Sequence, residues 1–271
     1  MSPGVREEEP KFVPKPLGEA ADASRGDRSW TSFLKNSISV VLILTLLYLG
    51  LGLLADLVAA RIPDRWEARL FSRQPLPDDG ASSELSRARN LFEGLIQAPD
   101  LRALDYSLFE IPTGRPNAEA LPGGAVGLTA GLLKSVESEV GLVMVLGHEL
   151  GHHQHRHSLK KMGRALLLDT AMALLFGSGG EVVTETTLSL AESSHSRGQE
   201  IEADEFALRL VFARYGHTEG SLELFELIRR ENEREGSRWA SFLASHPLTA
   251  DRIEHLQAYR STLADSDQPS R

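Results

Sequence analysis

The chain has 271 residues, with 38 Asp and Glu against 29 Lys and Arg and a formal net charge of −9. That length suits one sizeable core with appendages or two small domains, and the acidic balance speaks against nucleic acid, whose binders carry a basic face. Cysteine is absent, which excludes disulfides and thiolate metal sites, so any metal must be held by His, Asp and Glu.

Residues 1–35 begin as a polar, Pro-rich stretch with charges of both signs and no apolar period, the composition of a disordered tail. Residues 36–55, NSISVVLILTLLYLGLGLLA, then contain no charge, with Lys35 before them and Asp56 after. Twenty helical residues span about 30 Å, the thickness of a bilayer core. A buried core helix would show a polar stripe, and a cleaved signal would lie nearer the N-terminus, so this run reads as an uncleaved transmembrane anchor over 36–57. Arg25, Arg28 and Lys35 on one side and Arg61, Arg65, Arg69 and Arg73 on the other leave its orientation undecided. Residues 63–97 predict helices around a turn at PLPDDG, and residues 101–114 are short and mixed. Residues 117–124, NAEALPGG, predict a strand running into a hairpin. Ser138 and Glu139 open a long helix that carries a histidine cluster. A further apolar run at 165–176, broken by Asp169, is too short to span a bilayer and predicts a core or membrane-facing helix. GSGGE, residues 177–181, predicts a flexible break. Amphipathic helices are expected near 200–215 and 221–235, with a peptidase domain over 58–261 and a loose tail at 262–271. The expected fold class is mainly α with a small β-sheet (α+β).

The stretch GHELGHHQHRH holds His148, His152, His153, His155 and His157, five of the nine histidines. His148-Glu149-Leu150-Gly151-His152 is H-E-x-x-H. On a helix, residues four apart share a face, so both imidazoles can reach one ion, and Glu149, about 100° round, can reach a water instead. On an unbroken helix His155 lies about 10.5 Å along the axis from His148, too far to share that ion. His153 and His157 form a second i,i+4 pair, read as a solvated polar face. A catalytic zinc wants a third protein ligand and leaves its fourth position to water. Glu200 in SRGQEIEAD offers it, and Asp204, one turn later, can accept from the free N–H of a ligand histidine. Taken alone, such an E-x-x-x-D pair is a charged helix face.

GHELGHH with SRGQEIEAD resembles the CaaX prenyl protease/HtpX family of membrane-linked gluzincin metallopeptidases, peptidase family M48. NAEALPGG is similar to the family's N-A-x-A-x-P-G-G strand, and SHPLTADRIEHL to its H-P-x-x-x-x-R-I-x-x-L element. The four motifs stand in the family's order across residues 117–256, and IPDRWEARL resembles its mitochondrial members more weakly. The resemblance implies one Zn2+ per chain on His148, His152 and Glu200, with Glu149 as general base and Asp204 behind a ligand. It implies His246 near the substrate, steadying the oxyanion, and Arg252 pinning its own helix or the wall of the site. The strand Asn117, Ala118, Glu119, Ala120, Leu121 would hold an extended substrate by β-augmentation. Arg197 also matches a family position, with no role derivable, and the 177–187 loop is placed to form a lid. The function implied is an endopeptidase acting on unfolded or damaged membrane and envelope proteins. One helix would cross the lipid bilayer, with the catalytic domain outside a bacterial inner membrane. The G-x-M-E-N motif of gluzincin aminopeptidases is missing, and only one span is visible where a membrane-buried CaaX-processing enzyme needs several. A latent or non-cleaving zinc-bound chaperone or adaptor is the alternative, although Glu149 and all the ligands are present.

Overall fold

The computed structural model describes residues 30–71, 82–176, 195–232 and 238–266. The expected N-terminal tail before residue 30, the PLPDDG turn, GSGGE and the lid loop lie outside them. The chain divides into two compact units, residues 1–49 and 50–271. Helix α1, Trp30–Arg61, continues six residues past the uncharged run at each end. Among the described residues it is the one helix long and apolar enough to cross a membrane, and its large side chains, from Phe33 to Val58, are exposed.

The second unit is mostly helical around a small sheet, as expected. After α1 come α2 (Asp64–Phe71) and α3 (Ser83–Leu95), the latter capped by the Ser82 hydroxyl, which accepts from Leu85 N–H. Three strands follow: β1 (Ser107–Ile111), β2 (Ala118–Leu121) and β3 (Ala125–Thr129). β2 and β3 form the expected antiparallel hairpin, turned by Gly123 and Gly124 at φ 95° and 108°, where an L side chain would be strained. β1 was not foreseen. It pairs parallel with β3, giving the order β1-β3-β2 and leaving β2 at an edge.

The remaining helices are α4 (Ala130–Ser135), α5 (Glu139–Gln154), α6 (His157–Phe176), α7 (Arg197–Tyr215), α8 (Glu223–Asn232), α9 (Ala240–Ser245) and α10 (Ala250–Ser266). α10 runs to Ser266, so helix replaces the first five residues of the expected C-terminal tail. One continuous core joins α3, the sheet, α4, α5, α7 and α8, with Leu85, Leu128, Leu146, Leu208 and Ile228 fully buried. α5 is its central rod and packs along α7.

Candidate metal centre

α5 opens as expected at Ser138, whose hydroxyl accepts from Gly141 N–H. It carries His148, Glu149 and His152, all buried. It does not carry the whole histidine cluster. The helix stops at Gln154 and a new one starts at His157, because Arg156 between them takes a left-handed backbone at φ 59°. That conformation costs a non-glycine residue about 1 kcal/mol. The Arg156 guanidinium holds it by donating to Ala59 O (3.2 Å), Ile62 O (2.6 Å) and Asp64 Oδ1 (2.9 Å). The turn brings His157 back beneath His152.

α7 opens at Ser196 with a reciprocal capping box to Gln199, setting Glu200 in the first turn and Asp204 one turn on. Glycines let α7 approach α5 backbone to backbone. A Cβ added at Gly151 would lie 2.7 Å from Ala203 Cα, and one at Gly147 3.0 Å from Ala207 Cα. His246 arrives from the end of α9.

The inward atoms converge. His148 Nε2 lies 3.1 Å from His152 Nε2 and 3.2 Å from His246 Nδ1. Glu200 places Oε2 3.5 Å from His148 Nε2, and Oε1 3.5 Å from His152 Nε2 and 3.3 Å from His246 Nδ1. One ligand atom from each of the four residues lies within 4.8 Å of the others, the only such His/Asp/Glu group among the described residues. The outward Nδ1 of His148 faces Asp204 Oδ1 at 2.8 Å; a carboxylate only accepts, so His148 donates there and turns its Nε2 lone pair inward. That lone pair meets a Glu200 carboxylate oxygen with no proton to separate them. A cation relieves this repulsion, and imidazoles with a carboxylate are a donor set for a divalent metal. Beside them both Glu149 oxygens are buried without a hydrogen-bond partner, Oε1 at 3.7 Å from His246 Nε2. The residues therefore fit a metal ion.

Arg252 locks the outer layer. It donates from Nε and Nη2 to Asp204 (2.5 and 2.8 Å) and from Nη1 to Pro247 O (3.1 Å), and the same Nη1 lies 2.6 Å from Glu200 Oε2. Burial works to raise the Glu200 carboxyl, but His246, His152 and His148 outweigh it and hold it well below the carboxylate range. Burial raises Glu149, against the pull of His246 and His148. His246 is raised despite its burial, because Glu200 and Glu149 flank it.

The expectation that His153 and His157 form an exposed face is overturned: both are buried. The His153 ring meets Tyr106 edge-on at 5.8 Å, covered by a segment far away in sequence. Burial drives His153 and His157 each down to about 4, so both rings are neutral. His157 Nδ1 lies 2.9 Å from His152 Nδ1 and its Nε2 2.9 Å from Glu202 Oε2. His155, half-buried, caps α5. Sequence reasoning missed Glu202 and His195. His195 precedes the capping Ser196 and stacks on His152, with ring centroids 3.9 Å apart and 20° between planes. Arg197 stands exposed, 3.9 Å from Asp251.

The strand 117–121 borders the centre. Thr129 N donates to Asn117 O and Asn117 N to Thr129 Oγ1, so by alternation the polar groups of Ala118 and Ala120 point away from β3. Ala118 O lies 3.3 Å from His246 Nε2, and Ala120 O accepts from the Ser158 hydroxyl at 2.5 Å. Asn117 Oδ1 accepts from Ser245.

The model of peptidase family M48 matches residues 83–260. The chain is 26% identical over 189 residues to the mitochondrial metalloendopeptidase OMA1 of Saccharomyces cerevisiae, covering 64% of this chain and 55% of that one. It is 31% identical over 153 residues to the metalloprotease YcaL of Escherichia coli, covering 54% and 58%. To a putative beta-barrel assembly-enhancing protease of Vibrio cholerae it is 27% identical over 203 residues, covering 70% and 41%. The chain thus spans about half the length of these curated relatives.

Proposed function

The chain belongs to peptidase family M48, and from that premise we propose that it is a membrane-anchored zinc endopeptidase. Its substrates are unfolded or damaged proteins of the membrane and envelope. The observation that carries this reading is the convergence of His148, His152 and Glu200 on one point, with the unpartnered Glu149 carboxylate beside it. When bound, zinc supplies Lewis acidity and lowers the pKa of a water to about 7. His148 and His152, through Nε2, and Glu200 hold the ion. Asp204, steadied by Arg252, orients His148. Glu149 takes the proton of the attacking water at a carboxylate oxygen and passes it to the departing amine. His246 stands where its Nε2–H can donate to the oxyanion. An extended substrate lies along the outer edge of β2, read through its backbone at Ala118 and Ala120, which gives affinity with little sequence choice. The names of the relatives, two of them a mitochondrial metalloendopeptidase and a beta-barrel assembly-enhancing protease, support a membrane setting. We place α1 in a bacterial inner membrane with the catalytic unit on its outer side.

The test is purified full-length protein in detergent, stripped of metal and given zinc back, with an unfolded casein as substrate. Cleavage should return with zinc. Glu149→Gln should bind zinc as wild type does and lose about 10²- to 10⁴-fold in turnover. Equal cleavage by the variant would remove Glu149 from the mechanism. Tight zinc binding by the wild type without cleavage under any condition would favour the chaperone or adaptor reading.

One observation favours a second role for His246: its Nδ1 stands among the metal donors. In a resting state it would be a fourth ligand, in the place a water needs. His246→Ala separates the two roles. A transition-state donor predicts a fall of about 10²-fold in kcat, whereas a blocking ligand predicts a rise.

A further inference from the structure

The two histidines of H-E-x-x-H are backed differently. His148 has a carboxylate on its outer nitrogen, Asp204 Oδ1 at 2.8 Å, which sets its tautomer directly. His152 has another imidazole there, His157 Nδ1 at 2.9 Å. Between two ring nitrogens either can donate, and the choice matters. If His152 gave up its Nδ1 proton it would carry it on Nε2, pointed at the metal position, and could not ligate.

The deciding contact lies one step further out. His157 Nε2 faces Glu202 Oε2 at 2.9 Å, and a carboxylate accepts only, so the proton of His157 sits on Nε2. A neutral His157 then has a lone pair on Nδ1, which forces His152 to donate from Nδ1 and turns the His152 Nε2 lone pair inward. We infer that Glu202 and His157 form a two-step relay that fixes the ligating tautomer of His152, making His157 a positioning residue for the metal. The inference rests on the zinc reading above. His157 is wholly buried and held face-on to nothing else that would need its polarity, while Glu202 lies at the surface, 54% exposed. The break at Arg156 gives the arrangement its geometry: on a continuous helix His157 would sit more than a turn beyond His152, with its ring on a different face.

The experiment measures zinc affinity of the full chain in detergent by competition with a chromogenic chelator, together with the visible spectrum of the cobalt(II)-loaded protein. His157→Leu removes the acceptor and should weaken zinc about 10- to 100-fold, with a changed cobalt spectrum. His157→Asn places a carbonyl oxygen near the Nδ1 position and should restore most of the affinity. Glu202→Ala, at an exposed site that does not threaten folding, should weaken zinc by a smaller factor, about 2- to 10-fold. A purely structural role would lower the melting temperature of the metal-free protein while leaving zinc affinity in place. Affinity within two-fold of wild type in His157→Leu overturns the relay, as does a His157→Asn variant no better than His157→Leu. Unchanged affinity in Glu202→Ala overturns the outer step. Failure of the wild type to bind zinc overturns this inference and the zinc reading together, whereas loss confined to the variants bears on the relay alone.

Discussion

His153 follows His152 in sequence and shares none of its surroundings. Its ring lies against Tyr106, and Nε2 is buried without a hydrogen-bond partner. Burial holds it near 4, against about 6.5 for a histidine in the unfolded chain. A group depressed in this way protonates first in the unfolded state, so its stabilising effect is complete above pH 6.5 and is lost as pH falls towards 4. The shift corresponds to about 3 kcal/mol over that window. Melting temperature should therefore fall between pH 6.5 and 4, and His153→Phe should flatten the curve in that window. A variant with the same pH slope as wild type would deny His153 its part. At this scale H-E-x-x-H was legible, because spacing on one helix fixes which side chains share a face. The burial of His153 and His157 was not, since what covers them, Tyr106 and the turn at Arg156, cannot be read from helical spacing.

Two helices meeting at glycine make the centre possible. Gly147 and Gly151 of α5 face Ala207 and Ala203 of α7, and this contact brings Glu200 and Asp204 to the imidazoles. Gly151→Ala should push the helices apart, since the new Cβ would meet backbone rather than a movable side chain. We expect a loss of about 1–3 kcal/mol in stability and a larger proportional loss of metal affinity, because ligands on opposite helices separate. Circular dichroism should show unchanged helix content; zinc affinity equal to wild type would contradict the account. Elements with local signals were readable: Ser138 and Ser196 as caps, the paired glycines as a hairpin turn, the two faces of H-E-x-x-H and E-x-x-x-D. β1 was hidden because its parallel pairing to β3 spans an intervening strand and leaves no local trace. The end of α10 was hidden too, since its last turn is made of small polar residues that also suit a tail.

Across the whole second unit, one buried ionic cluster ties distant segments together. Arg102 donates to Asp64 Oδ1 (2.7 Å), Glu67 Oε2 (2.5 Å) and His153 O (2.8 Å), while Glu67 Oε1 accepts from Gly123 N (3.3 Å). The end of α1, helix α2, the hairpin turn and the last turn of the metal-bearing helix thus share one knot. Arg102→Met would strand the buried Glu67 charge and should cost about 3 kcal/mol, read as a lowered denaturation midpoint; a change below 0.5 kcal/mol would show the cluster to be dispensable. The single long apolar helix was plain in the sequence, but its last turns also serve the catalytic unit. Ala59 and Ile62 lend their carbonyls to Arg156, and Asp56 pairs with Arg164. The apolar run and the catalytic unit therefore overlap in one helix. A protease that sheds the enzyme by cutting within residues 50–61 would not release a working soluble form. It would unfasten the turn that sets His157 beneath His152, so shedding there is an off-switch.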